Sequence, residues 1–154
     1  MTRILIVFFA AIAALCSLRA GPAHAEEVFG NAVNYCQGSL PSFEGALRKR
    51  PLAIANQGTT TAFISCSVRA AQVSDSKPGH LYVYLSNHSE TKKDMSCTMI
   101  QGNVDTASAY FPKNLSAVPN TGGEIGWALD AAYDLVNLNC ALPPGVEIDY
   151  VYLT

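Results

Sequence analysis

The sequence predicts an all-β protein, a single antiparallel β-sandwich of about 8–9 short strands held by two disulfides. Three observations favour this fold class. The dominant hydrophobic period is two and not about 3.6, turns rich in Gly, Pro and Asn interrupt the chain every 10 to 15 residues or so, and four widely spaced cysteines follow the N-terminal segment. No long amphipathic helix competes with the strands, and residues 115–118 are expected to form at most one helical turn.

Alternation is clearest in the three segments that contain the last three of these cysteines. Residues 61–68, 95–99 and 136–142 each place a cysteine and apolar side chains on one face and mainly Ser, Thr or Asn on the other. Such alternation is typical of strands with one buried face. Further strands are predicted at 29–36, 51–56, 80–87, 107–111, 124–129 and 146–153. The breaks between them carry turn chemistry, as in Pro143-Pro144-Gly145.

The four cysteines Cys36, Cys66, Cys97 and Cys140 predict two disulfides. An even number in a small domain favours disulfides over a metal site if the protein is exported, and the close pairs typical of zinc ligands are missing. Three pairings are possible, and the strand pattern favours Cys36–Cys66 with Cys97–Cys140. Cys97 and Cys140 both lie on the apolar faces of their strands, as a disulfide between the two sheet interiors would require.

Residues 1–25 have the three parts of a cleavable secretory signal: a basic start with Arg3, an uncharged apolar run over 4–18, and the ending Ala23-His24-Ala25. The apolar run is shorter than the roughly 20 residues that a membrane span needs, and no later run is long enough. We therefore expect a secreted or periplasmic protein whose residues 26–154 form one domain. Cleavage would remove two of the 10 basic side chains and none of the 12 acidic ones, which leaves a net charge of about −4 and disfavours nucleic-acid binding.

The cysteine-bearing segments resemble those of small exported four-cysteine proteins of Gram-negative bacteria. The resemblance rests on the cysteine spacing, on residues 63–68 and 96–99, and on the ending Leu-Asn-Cys-Ala-Leu-Pro-Pro-Gly at 138–145. It implies a bacterial, disulfide-bonded β-sandwich of a group with no assigned activity. Ser67 departs from the pattern, since the second cysteine of such relatives is often followed by Pro. The resemblance implies no catalytic residue.

The sequence offers little for catalysis. His80 and His88 flank a predicted strand that would hold them more than about 20 Å apart, and there is no recognisable motif for serine, metal or phosphate chemistry. We therefore predict no enzyme activity, metal site or cofactor. A small secreted hydrolase stays open as an alternative, because a triad is assembled in space. Five acidic residues lack calcium-loop spacing and are expected to be solvated strand edges: Glu124, Asp130, Asp134, Glu147 and Asp149.

Paired tyrosines form the candidate ligand-binding site: Tyr82 and Tyr84 in one predicted strand, Tyr150 and Tyr152 in the last. The other faces of both strands are apolar, so the tyrosines belong either to a second part of the core or to an exposed aromatic row. An exposed row can stack on sugar rings or on an apolar patch of a partner. The predicted function is an exported, non-catalytic binding or structural component of the cell envelope or secreted fraction, with an unknown protein or glycan partner. The main alternative is a carbohydrate or small-ligand module that binds through the tyrosines.

Overall fold

The computed structural model describes residues 28–68, 79–102, 108–130 and 135–154. Within these ranges the chain forms eleven strands and two single-turn helices, α1 (Ala32–Tyr35) and α2 (Pro41–Glu44). The strands are β1 (Val28–Asn31), β2 (Cys36–Gly38), β3 (Leu47–Lys49), β4 (Ile54–Asn56), β5 (Ala62–Val68), β6 (His80–Asn87), β7 (Lys93–Gly102), β8 (Ala109–Ala117), β9 (Thr121–Ala128), β10 (Leu135–Leu142) and β11 (Val146–Leu153).

The strands form two antiparallel sheets, which confirms the predicted β-sandwich. Sheet 1 has six strands in the order β3-β4-β11-β6-β9, with β1 also paired to β11. β1 pairs with the second half of β11 and β4 with its first half, so both short strands share one edge of it. Sheet 2 has five strands in the order β2-β5-β10-β7-β8.

The core lies between the inner faces of the two sheets. Leu81, Val83 and Leu85 of β6 and Ile64 and Cys66 of β5 are all 0% exposed. Burying one aliphatic side chain of this size contributes about 1.5–3 kcal/mol. Because side chains alternate along a strand, burial of these residues turns their neighbours outward. The core therefore determines which side chains each sheet presents to solvent.

Both predicted disulfides are present. Cys36–Cys66 and Cys97–Cys140 join residues that face each other in neighbouring strands, with Cα–Cα distances of 3.9 and 4.1 Å. The predicted pairing is therefore confirmed, but the expected location is wrong. Each bond connects two strands within sheet 2 and does not connect the two sheets. The reason is the register, which places each pair of inward cysteines side by side on the same face.

The edge formed by β8 and β9 brings the two sheets together by polar contacts. The indole Nε1 of Trp127 in β9 donates to the carbonyl oxygen of Phe111 in β8 over 2.8 Å. Lys113 of β8 lies over the same indole ring at 5.8 Å from its centroid and donates to the carbonyl of Gly126. The hydrogen bond to Phe111 satisfies the polar atom of a buried tryptophan.

Several elements differ from the sequence-based expectation: the described strands number eleven and not 8–9, and β3 and α2 were not predicted. The strand predicted at 29–36 is divided by α1, because the chain folds back after Gly30. A Cβ at Gly30 would lie 1.7 Å from the Tyr35 ring, so only glycine leaves room for this turn. The strand predicted at 107–111 is instead Ala109–Ala117, and it includes the residues expected to form a helical turn. β8 can contain Pro112 because it is the edge strand of sheet 2.

The predicted signal segment, residues 1–25, and Asp134 lie outside the described residues. In the described ranges, no helix is both long enough and apolar enough to cross a bilayer.

Candidate functional site

The pairing of β6 with β11 brings the four predicted tyrosines together. Tyr82 faces Tyr152 and Tyr84 faces Tyr150 in the register of the two strands. All four lie on the outer face of sheet 1 and are half-buried. We call these four residues the tyrosine face. The structure thus lies between the two alternatives raised by the sequence: the tyrosines lie outside the central core, yet a large part of each ring is covered.

The tyrosine rings form a continuous aromatic surface. The facing pairs are stacked, with ring centroids 4.8 Å apart for Tyr82–Tyr152 and 5.2 Å apart for Tyr84–Tyr150. Tyr150 and Tyr152 are tilted against each other at 5.8 Å, which joins the two stacks. His80, the first residue of β6, stacks on Tyr82 at 5.8 Å and extends the surface to five rings.

Glycines in β9 allow the rings to lie over the neighbouring strand. Gly126 faces Tyr82 in the register, and a Cβ there would lie 2.5 Å from Cε1 of that ring. A Cβ at Gly122 would lie 2.8 Å from Cε1 of Tyr84. The rings occupy the space that side chains would take, so these glycines set their tilt.

A carboxylate lies beside the aromatic surface. The hydroxyl of Tyr152 donates to Oε2 of Glu124 over 2.8 Å. Burial, together with this hydrogen bond, raises the pKa of Tyr152 to about 12. Burial and the charge of Glu124 also raise the pKa of Tyr150. Both hydroxyls therefore stay protonated near neutral pH.

A polar cluster adjoins the tyrosine face where β11 has a bulge between Ile148 and Tyr150. Oε1 of Glu147 lies 2.6 Å from Nε2 of His88, and its Oε2 lies 3.2 Å from Nη1 of Arg50. The Ser86 hydroxyl donates to Asp149 over 2.6 Å. Glu147 is only 6% exposed, so the expectation of a solvated strand edge is wrong for this residue. The carboxylate is stable below the surface because the Arg50 guanidinium and the His88 ring both contact it.

The described residues do not assemble a serine hydrolase triad at the two histidines. His88 meets a carboxylate, Glu147, but the nearby Ser86 hydroxyl donates to Asp149 instead. His80 is engaged with the Tyr82 ring. Of the side chains that the structure describes, no three His, Cys, Asp or Glu residues come together in a way that would hold a metal ion.

The sequence reasoning missed a second surface, on the outer face of sheet 2. It carries uncharged polar side chains from the three central strands β5, β10 and β7: Ser65, Ser67, Asn137, Asn139, Ser96 and Thr98. We call these six residues the polar face. Two exposed rings flank it, Phe63 in β5 and Tyr110 in β8. The signal was present as Ser, Thr and Asn at alternate positions, but the order of the strands was needed to unite them.

The sequence matches no protein-family model and no curated protein. The fold is similar to that of solved carbohydrate-binding modules. The N-terminal CBM22-1-CBM22-2 tandem domain of Paenibacillus barcinonensis Xyn10C is 10% identical, with a TM-score of 0.55 over 88% of this chain and 51% of the tandem. The single CBM22-2 xylan-binding domain of the same protein is also 10% identical, with a TM-score of 0.52 over 85% of this chain and 99% of that domain. At this identity, the likeness concerns the fold.

Proposed function

We propose that this protein is a non-catalytic carbohydrate-binding domain that acts outside the cytoplasm and binds glycans at the tyrosine face. The observation that carries the proposal is the continuous surface of five rings on sheet 1, with ring centroids 4.8 to 5.8 Å apart. Two further features support it. The same fold carries a xylan-binding domain in Paenibacillus barcinonensis, and two disulfides fit an oxidising compartment.

The chemistry of the tyrosine face suits sugar rings. Aromatic rings supply apolar area at low conformational cost, and tyrosine adds a hydroxyl that can pair with a sugar hydroxyl. Glu124 adds an acceptor beside Tyr152. Because the exposed carboxylate of Glu124 lies at this surface, a polyanionic glycan would be repelled. A neutral glycan is therefore the expected ligand class.

Catalysis is disfavoured because the acidic groups near this surface are already held by the protein. Arg50 and His88 hold Glu147, Ser86 holds Asp149, and Tyr152 donates to Glu124. A general acid or base needs an orientation towards the bond that reacts. The arrangement instead fixes each carboxylate within the sheet.

The test is retention of the protein on polysaccharides. Wild type and the double variant Tyr82→Ser/Tyr84→Ser are mixed with insoluble xylan, cellulose, mannan, β-1,3-glucan and peptidoglycan, and the unbound protein is measured. We expect wild type to bind at least one neutral polysaccharide and the tyrosine variant to lose about tenfold or more in affinity, which is the scale of one to a few lost aromatic contacts.

The matched control is His88→Ala, which changes a neighbouring aromatic side chain outside the tyrosine face. It should keep wild-type binding. Failure of wild type to bind any of these polysaccharides would reject the proposal. A folded His88→Ala variant that is no longer retained on the polysaccharide, while the tyrosine variant still is, would favour the hydrolase alternative.

A further inference from the structure

We propose that the polar face of sheet 2 is a second binding site, for a neutral oligosaccharide, on the side of the molecule opposite the tyrosine face. It uses none of the tyrosine-face residues, so it can be tested independently of the function proposed above. The site is a groove of about 260 Å³, just below the range of about 300–1,000 Å³ that is usual for small-ligand sites. Its lining includes Ser96, Thr98 and Asn139, with Phe63 of β5 and Tyr110 of β8.

The groove lining is uncharged and combines apolar surface with the hydrogen-bonding groups of Ser96, Thr98 and Asn139. Beside the groove, the polar face continues in the rows Ser65–Asn139–Thr98 and Ser67–Asn137–Ile100, which run directly across three neighbouring strands. Asn137 bridges the two serines of β5, accepting from Ser65 over 3.1 Å and donating to Ser67 over 3.3 Å. Hydroxyl and amide groups are both donors and acceptors, which matches the hydroxyl groups of a sugar.

One acceptor on the groove floor has no partner among the residues that the structure describes. Oδ1 of Asn139 is buried and makes no hydrogen bond to any of them. Buried polar atoms are nearly always hydrogen-bonded, so this oxygen would gain a partner if the Asn139 amide turned towards a donor in the groove. A sugar hydroxyl in the groove would supply that donor.

The flanking rings are unusually open for their size. Phe63 is 49% exposed and Tyr110 is 65% exposed. Phe63 is supported from behind by Phe43, at 5.5 Å between ring centroids. Aromatic rings in these positions can stack on sugar rings at the two sides of the groove, while polar groups on the groove floor form hydrogen bonds with the sugar hydroxyls.

The floor of the groove is rigid before any ligand arrives. Cys140, which belongs to the buried Cys97–Cys140 disulfide, lines it directly. Three strands paired in continuous register hold the polar side chains at fixed spacings. A preformed site lowers the entropic cost of binding.

Charge separates an oligosaccharide from other ligand classes. The charged residues Lys92 and Asp94, whose Nζ and Oδ1 atoms are 4.0 Å apart, line the adjoining depression and not the groove. A polyanion would need basic side chains in the groove lining, and a protein partner would be expected to need a larger apolar centre. The uncharged mixture of hydroxyls, amides and two rings favours a neutral oligosaccharide.

The test is titration calorimetry with xylohexaose, cellohexaose, laminarihexaose and mannohexaose, using wild type, Phe63→Ser/Tyr110→Ser and Tyr82→Ser/Tyr84→Ser. We expect at least one hexasaccharide to bind wild type at two sites and each double variant at one. Each double variant then removes binding at one face and leaves binding at the other face unchanged. If the Phe63/Tyr110 variant keeps both the wild-type affinity and the wild-type stoichiometry, the second site is rejected and the tyrosine face is unaffected. If only this variant loses binding, the second site stands and the tyrosine face is rejected.

Asn139→Leu separates recognition from folding. It removes a buried acceptor that has no partner, so the unfolding midpoint should stay unchanged or rise, while affinity at the polar face should fall about tenfold. Unchanged affinity in this folded variant, or no heat from any of the four hexasaccharides, would overturn the inference.

Discussion

Two buried asparagines show how single residues end strands in this fold. Asn56 donates to the carbonyls of Thr60 and Leu142 over 2.8 and 2.7 Å. Asn87 donates to those of Thr91 and Ala117 over 2.9 and 3.0 Å. Each is at most 1% exposed. Both Asn side chains therefore tie a turn to a strand end.

The first prediction concerns Asn87. Asn87→Asp would place a carboxylate oxygen where an amide now donates to two carbonyls, leaving acceptors facing acceptors. We expect the free energy of unfolding to fall by at least about 2 kcal/mol. Urea denaturation measures it. The matched control is Asn114→Asp, at an exposed position of β8, which should change stability by less than about 0.5 kcal/mol. Equal effects of the two substitutions would contradict the assigned role of Asn87.

The second prediction uses the pKa of Asp149. Burial raises this pKa above its ordinary value of 3.8; the Ser86 hydrogen bond lowers it, and the charge of Glu147 raises it. The folded state therefore holds the proton more tightly than the unfolded chain. The stabilisation is complete below pH 3.8 or so and is lost as the pH rises through the raised pKa.

Asp149→Asn should therefore raise the free energy of unfolding near pH 7, and this gain should shrink near pH 3. The asparagine carbonyl can still accept from Ser86. Urea denaturation at the two pH values measures the change, and Asp94→Asn is the control for removing an exposed carboxylate. A gain at Asp149 that is the same at both pH values would contradict the sign of the shift.

Among the elements, β11 explains why strict alternation misplaces acidic residues. Glu147 and Asp149 have the same parity as Val151 and Leu153, which point into the core. Strict alternation would put two carboxyls and two aliphatic side chains on one face. The bulge between Ile148 and Tyr150 removes this conflict by shifting the register. The change from acidic to aliphatic residues at alternate positions of one strand was thus a sequence signal for a bulge.

β9 supports the third prediction, which compares two glycines. Gly126→Ala would place a Cβ 2.5 Å from the Tyr82 ring and force that ring to move. We expect weaker polysaccharide binding and lower stability. At Gly45 a Cβ would meet nothing within 4 Å, and its φ is −67°. Gly45→Ala should leave binding unchanged and stabilise the protein by about 0.4–1 kcal/mol. Retention on polysaccharide and thermal denaturation measure both effects.

The strands that the sequence predicted well are those with one face in the core. β5, β6 and β10 keep their alternation over their whole length and β7 over nearly all of it, so their faces could be assigned in advance. The short edge strand β3 and the turn α1 carry little periodicity, because few of their side chains are buried. The neighbours of each strand depend on long-range pairing, which local patterns do not encode. For that reason the tyrosines could be predicted as two pairs, but not as one surface.

For the whole molecule, the fourth prediction concerns the disulfides that cross-link sheet 2. They close loops with sequence separations of 30 and 43 residues, each of which contributes about 4 kcal/mol in the chain-entropy model. Cys36→Ala/Cys66→Ala and Cys97→Ala/Cys140→Ala should each lower the free energy of unfolding by about 2–4 kcal/mol. Urea denaturation without reductant measures the loss. A pair whose removal leaves stability unchanged would show that its loop is already constrained in the unfolded chain.

The sandwich places the tyrosine face and the polar face on opposite sides of one core. Both faces consist of the outward side chains of strands whose inward side chains lie in the core. Substitutions at outward positions should therefore change recognition more than folding. This separation makes the binding account testable residue by residue.

The most direct test of glycan binding at the tyrosine face is the fifth prediction, a nuclear magnetic resonance titration of the isotope-labelled protein with the soluble hexasaccharides. We expect the largest ring and amide shifts on sheet 1 at Tyr82, Tyr84, Tyr150 and Tyr152, with Glu124 beside them. The inward residues Val83 and Val151 of the same strands should shift least, because the core separates them from the ligand. Saturable shifts that leave the four tyrosines unchanged, or no shifts with any hexasaccharide, would contradict the account.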